Sequence, residues 1–265
     1  MREDELGWYV YCVVGASAAA EPDLVGVGDR PVVAVREGKV AALGSRVAMD
    51  EFGEEPLRKR LNDLAWLEPT ARAHERVLAH VARRTTVVPM RMCTIYRDHQ
   101  GLREMLVREA DRLGHALDQL AGRREWGVKA FSAGQASAGL APDGSASDRH
   151  GDGAGAAYMR GQLARRRERE DTDRRLRAAC EAIHGSLSTF AAGAVSCRPQ
   201  SPELSGRRTP MILNGAYLVD DDDREAFHDL TADLQGRYAS LGVVLETTGP
   251  WAAYNFVPVE LGVAS

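Results

Sequence analysis

No Cys-x-x-Cys pair, no lysine-rich tract and no long apolar run occurs among the 265 residues of this chain. Each absence removes a class of protein. The four cysteines (Cys12, Cys93, Cys180, Cys197) stand singly, so neither a disulfide framework nor a zinc ribbon is available and a reducing compartment is expected. No stretch approaches the roughly 18 apolar residues that a membrane span needs. Met1 to Gly7 is acidic and polar, without the basic and then apolar pattern of a secretory signal, so the cytoplasm is the expected location. Only three of the 34 basic residues are lysine (Lys39, Lys59, Lys129), a bias that reads as codon usage, and the formal net charge is -4. A polyanion-coating protein would carry a basic surplus, so neither a nucleic-acid nor a membrane partner is expected.

Catalytic signatures are missing as well. No Gly-x-Ser-x-Gly occurs, and Cys93 has no positional cue tying it to a histidine base. Gly151-Asp152-Gly153-Ala154-Gly155 follows no strand and precedes no Gly-Lys-Ser/Thr, so it reads as linker and not as a phosphate loop. His74-Glu75 with His80 resembles a metalloprotease helix, but its histidines are six apart. At about 100° per residue the two rings point about 120° apart around the axis and cannot grip one ion. His74 is expected on a buried stripe with one ring nitrogen satisfied, and His80 nearer solvent. The run Asp220-Asp221-Asp222-Asp223 precedes a helix and is expected to compensate its dipole. No catalytic residue, metal site or cofactor is therefore expected. An RNA-binding ferredoxin-like sheet is the first alternative, although clustered aromatics with Gly and Lys/Arg are absent. A small-molecule enzyme is the second, and no coherent acid, base or nucleophile set supports it.

What is present is ordinary globular material, 44% hydrophobic and 27% charged, in a length suited to two domains. Trp8 to Val14 reads as a buried strand, and Pro31–Val35 with Lys39–Leu43 as a hairpin around Gly38. Two helices follow from Glu54 to His80, with Pro69 in the first turn of the second. Thr85 to Tyr96 is extended, and Pro89 argues for a bent or edge strand because proline cannot donate to a ladder. A helix carrying Leu102, Leu106, Leu113, Leu117 and Leu120 ends at Gly122, and Glu125–Phe131 alternates as a strand. After a Gly/Ala/Ser/Asp tract come one long helix or two over 157–190, strands at 195–199 and 211–219, a helix with Phe227, Leu230, Leu234 and Tyr238, and a strand at 243–247. The basic run Arg160 to Arg177 interleaves acidic residues and reads as a solvated helical face.

This order predicts an α+β fold of two domains. Residues 1–131 are expected to form a ferredoxin-like domain, an antiparallel sheet with helices on one face. A flexible linker is expected over 132–155, then over 156–265 a smaller α+β domain with a long helix, a smaller variant of the same layout.

Three ordered stretches carry a resemblance. They are Trp66-Leu67 with Ala73-His74-Glu75-x-Val77-Leu78 and Val88-Pro89-Met90-Arg91 leading to Thr94-Ile95-Tyr96; Glu125-Trp126-Gly127-Val128-Lys129; and Gly249-Pro250-Trp251 with Tyr254-Asn255-Phe256-Val257. With the opening Tyr9-Val10-Tyr11 they resemble the gas vesicle protein family GvpL/GvpF over nearly the whole chain. Met92 and Cys93 depart from the aromatic and glycine usual after Pro-x-Arg in that family, and Ala252 and Ala253 stand where prolines are frequent. The resemblance implies a cytoplasmic, vesicle-associated assembly factor that binds the hydrophobic shell subunit GvpA, meets other accessory proteins, and becomes a minor vesicle component. Trp66, Arg91, Trp126, Trp251 and Tyr254 are the candidate partner-binding residues, because Trp, Tyr and Arg dominate interface hot spots. Each has a rival structural role: Trp126 and Trp251 as core, Arg91 as an ion-pair partner of Glu75 or Glu125.

Overall fold

The computed structural model describes residues 5–19, 23–132, 153–201, 206–207 and 209–257. The chain divides into two compact units, Met1–Glu125 with Pro250–Ser265, and Trp126–Gly249. Both are α+β.

The first unit is built on β1 (Leu6–Gly15), β2 (Val33–Glu37), β3 (Val40–Ala48), β4 (Val88–Pro89) and β5 (Ile95–Tyr96). The sheet order is β2-β3-β1-β4, with β5 also pairing β1, and the pairings are antiparallel. Pro89 stands on the edge strand, where its missing N–H costs no ladder bond. A register shift between Val10 and Cys12 marks a bulge in β1, so Tyr9, Tyr11, Cys12 and Val14 all join one core cluster. That cluster is covered by α1 (Met49–Phe52) and by α3 (Leu64–Ala82), which α2 (Glu54–Arg60) precedes; Val77, Leu78 and Val81 of α3 supply the buried stripe.

The expectation of helices on one face does not describe this sheet. Trp8, which points away from Tyr9, meets His99 at the start of α4 (His99–Arg108), and α5 (Ala110–Leu120) packs on β1 and β4. An eight-residue buried run in β1 demands cover on both sides. Pro69 also sits deeper than the first turn. Asp63 caps α3 by accepting from the Ala65 N–H at 3.0 Å, so the helix begins five residues before the proline. Gly122, at φ 68°, closes α5 as expected.

The second unit is built on β6 (Arg123–Ser132), β7 (Gly193–Ser196), β8 (Met211–Asp220) and β9 (Val243–Trp251), with the long α6 (Gly153–Phe190) and α7 (Arg224–Tyr238). Its sheet order is β7-β8-β6-β9. Together with the chain order β-α-β-β-α-β this is the ferredoxin-like layout, found here in the second unit. The first unit has the same strand order, but among the described residues the link from β1 to β2 carries short 3-10 turns where a crossover helix would stand.

The domain division differs from the expected one. β6 falls almost wholly within the 1–131 expected for the first domain, yet it is a central strand of the second sheet, between β8 and β9. Residues 250–257 return to the first unit. Alternation identifies a strand but carries no information on which distant strand it pairs with. Most of the expected linker, 133–152, lies outside the described residues. The second core gathers Trp126, Val128 and Ala130 of β6 with Ile183 and Leu187 of α6, Tyr217 of β8, and Phe227 and Leu234 of α7. Each such large apolar side chain contributes about 2 kcal/mol on burial.

Candidate functional site

The residues of the three motif stretches meet at two places in the first unit. At the first, β1 presents Tyr9 and α3 presents His74, whose ring is buried and touches both Tyr9 and Tyr11. The Tyr9 hydroxyl lies 3.0 Å from His74 Nδ1, and Tyr254 from the C-terminal stretch lies 3.1 Å from His74 Nε2. Tyr254 donates to Glu75 Oε1 at 2.9 Å, and the backbone N–H of Cys93 donates to the Tyr9 hydroxyl at 3.1 Å. One proton arrangement satisfies every member. Cys93 N–H donates to Tyr9, Tyr9 to Nδ1, Nε2–H to Tyr254, and Tyr254 to Glu75. It requires a neutral His74. Burial pushes the imidazole from 6.5 down to about 4, against a smaller opposing contribution from the Met90 backbone. Burial likewise holds the Tyr9 and Tyr254 hydroxyls well above the usual phenol range.

Second, Glu125 at the start of β6 accepts from the Asn255 backbone N–H at 2.9 Å and from Asn255 Nδ2 at 2.6 Å. Burial raises its carboxyl pKa, and the two bonds from Asn255 oppose the shift. Two adjacent residues, Tyr254 and Asn255, thus fasten the C-terminal segment at separate points. The arrangement is a clasp. Its acid–base groups are spent on one another. Among the described residues no group of three His, Cys, Asp or Glu side chains could hold a metal ion. No described helix is long and apolar enough to cross a membrane.

The turn before β5 explains one sequence departure. Thr94 N–H bonds the Arg91 carbonyl at 3.1 Å, and Cys93 sits at φ 63°, the left-handed region that favours glycine. The cysteine occupies a glycine conformation while its N–H feeds Tyr9. Another motif glycine, Gly127, faces Thr248 so closely that a Cβ there would lie 2.8 Å from its Oγ1.

The five candidate contact residues scatter. Trp66 is half-buried, donates to Glu51 Oε1 at 2.8 Å and lies beneath Arg60. Trp126 is only 6% exposed and meets His228 edge-on at 4.6 Å between ring centroids, so it serves the second core. Tyr254 is committed to the clasp. Arg91 is exposed and pairs with neither Glu75 nor Glu125, which are held by Tyr254 and Asn255. Trp251, at the end of edge strand β9, is 50% exposed and not core. The clasp as a unit escaped the sequence reading, which expected one bonded nitrogen on His74 where both are engaged. The signal was present in the company His74-Glu75 keeps with Tyr254-Asn255 in the motif set.

Comparisons with known proteins span nearly the whole chain. The family model described as "Gas vesicle synthesis protein GvpL/GvpF" matches residues 7–258. Gas vesicle protein L of a Streptomyces species is 36% identical over 252 residues, covering 95% of this chain and 92% of that protein. The crystal structure of GvpF from Anabaena sp. superimposes with a TM-score of 0.65 at 19% identity, over 96% of this chain and 97% of that one. GvpF from Microcystis aeruginosa gives 0.64 at 19% identity, over 96% and 99%.

Proposed function

Because the chain belongs to the gas vesicle synthesis protein family GvpL/GvpF, we propose that it supports gas vesicle formation by binding the small hydrophobic shell subunit GvpA. The observation that carries the reading is the match to gas vesicle protein L along nearly the whole of both chains. In this role the protein works without catalysis, in the cytoplasm and on the vesicle, alongside other accessory proteins, and is retained as a minor component. A shell subunit that polymerises into a gas-holding wall exposes apolar edges before assembly, and such edges aggregate unless they are covered. Edge strand β9, with Val244 and Trp251 exposed, offers backbone and apolar surface for that cover. Pro250 limits the ladder at its end.

Apolar and backbone contacts survive screening, whereas exposed charge pairs do not. Co-sedimentation with the shell protein should therefore persist from low to high salt. Trp251→Ser should weaken it by about tenfold, the equivalent of about 1.4 kcal/mol. Charge reversals across Arg165 to Arg169 should leave it intact. Binding lost at high salt, or on those reversals alone, would move the contact to α6. No association under either condition would remove the shell-binding reading.

A further inference from the structure

Each residue of α6 from Tyr158 to Arg175 is exposed, and the helix joins the second core from Leu176 onward, through Leu176, Cys180, Ile183, Leu187 and Phe190. Eighteen helical residues without tertiary packing are marginal, since packing normally supplies most helical stability. The ion pairs Arg166–Glu170 at 2.8 Å and Arg174–Asp171 at 3.2 Å add only a few tenths of a kcal/mol each. Yet Met159 and Leu163 stand 57% and 51% exposed on this segment.

Those two residues open a stripe of Met159, Leu163, Arg166, Glu170, Asp173, Arg177 and Cys180. The spacing alternates four and three, the repeat of a helix that packs along another helix. The stripe has an apolar N-terminal end, a charged middle and an apolar C-terminal end. At that last end lies a recess of about 320 Å³ lined by Asp173, Leu176, Arg177, Cys180, Glu181 and Ile212.

We propose that a second copy of the chain pairs antiparallel with α6, each copy setting Met159 and Leu163 into the recess beside Leu176 and Cys180 of the other. Reversing the stripe on itself brings Met159 to the second copy's Cys180, Leu163 to its Leu176 and Arg177, and Arg166 to its Asp173. Two-fold symmetry makes each contact twice. Glu170 meets its own counterpart at the centre, where Arg166 of the same helix already holds it and Arg169 of the second copy stands beside it. A parallel pair would instead set Arg166 on Arg166 and Asp173 on Asp173, and leave both recesses unfilled. Charge complementarity therefore selects both the occupant and the direction. The surface is independent of edge strand β9 and of the shell-binding reading.

Sedimentation equilibrium of the full chain over a concentration series tests the pairing. A concentration-dependent dimer is expected, with Met159→Glu/Leu163→Glu raising its Kd by at least about tenfold, since each burial is lost twice. Both sites are exposed, so circular dichroism of the monomer should be unchanged. Arg166→Asp and Asp173→Arg should each weaken the dimer, and the double variant should restore it. Oxidation of Met159→Cys should link that residue to Cys180 of the second copy. A monomer at all concentrations, a dimer indifferent to the glutamates, failure of the double charge swap to rescue, or a 159-to-159 crosslink would overturn the proposal. Shell co-sedimentation by the monomeric glutamate variant would separate this outcome from the shell-binding reading.

Discussion

Each unit buries a tyrosine on a central strand against a histidine on a helix, and the two pairs are finished differently. In the first unit Tyr9 meets His74 at 3.0 Å, and the other ring nitrogen is taken by Tyr254 in a chain that runs from Cys93 to Glu75. In the second, Tyr217 meets His184 at 2.8 Å, and the far nitrogen lies 3.5 Å from Ser188 on a half-buried ring. The sheets share one strand order. What separates them is the company around the histidine: the first pair is sealed beneath the chain's last described segment, while the second stays within reach of water. A sealed polar network is costly to break, because each orphaned group keeps its desolvation penalty.

The largest expected effect is in the pH dependence that the first pair confers. His74 has its pKa lowered from 6.5 to about 4 by burial, so the unfolded chain binds more protons between those values. The stabilisation is then fully present above pH 6.5 and is lost as pH falls toward 4, by about 3 kcal/mol. Denaturant midpoints measured over this range for wild type and His74→Gln should diverge at neutral pH and converge at pH 4. Parallel curves would show that His74 titrates as an exposed histidine.

A smaller contrast comes from the hydroxyls. Tyr9→Phe leaves both the Cys93 N–H and His74 Nδ1 without partners and should destabilise by about 2 kcal/mol, whereas Tyr217→Phe leaves a nitrogen that water can reach and should cost below about 1 kcal/mol. Equal losses in chemical denaturation would remove the distinction between sealed and open pairs.

The smallest effect concerns the turn that feeds Tyr9. Cys93→Gly removes the left-handed strain at φ 63° while keeping the N–H donor, and should stabilise the first unit by about 1 kcal/mol. A thermal midpoint that falls would mean that the cysteine side chain contributes more than its backbone costs.

How much of this was legible in the sequence varies by level. Local pattern placed the strands and helices well: the apolar run of β1, the hairpin turning at Gly38 and the edge position of Pro89 all follow from side-chain periodicity and backbone chemistry. Helix cover on both faces was implicit in the unbroken apolar run of β1, which an amphipathic strand would have lacked. Pairing across distance was not legible. Nothing in Glu125–Phe131 tells that β6 joins strands formed some 80 and 120 residues later, and so the boundary at 131 misplaced it. The clasp was half visible, since its residues lie in the quoted motifs but their meeting depends on three-dimensional return. Trp126 and Trp251 show the limit of residue type as a guide. The same side chain in two strand contexts is core in one and exposed in the other.

The return of Tyr254 and Asn255 to the first unit also sets an order of events in time. Glu125 and Asn255 are 130 residues apart. At about 5–20 residues per second, the ribosome needs on the order of 10 s to travel from one to the other. Throughout that interval β1 and α3 are already made, while Tyr254 does not yet exist to meet His74. All four strands of the second sheet are synthesised before Tyr254. Completion of the first-made unit therefore waits until synthesis has passed Asn255, and a product lacking Tyr254 and Asn255 leaves His74 and Glu125 without these partners.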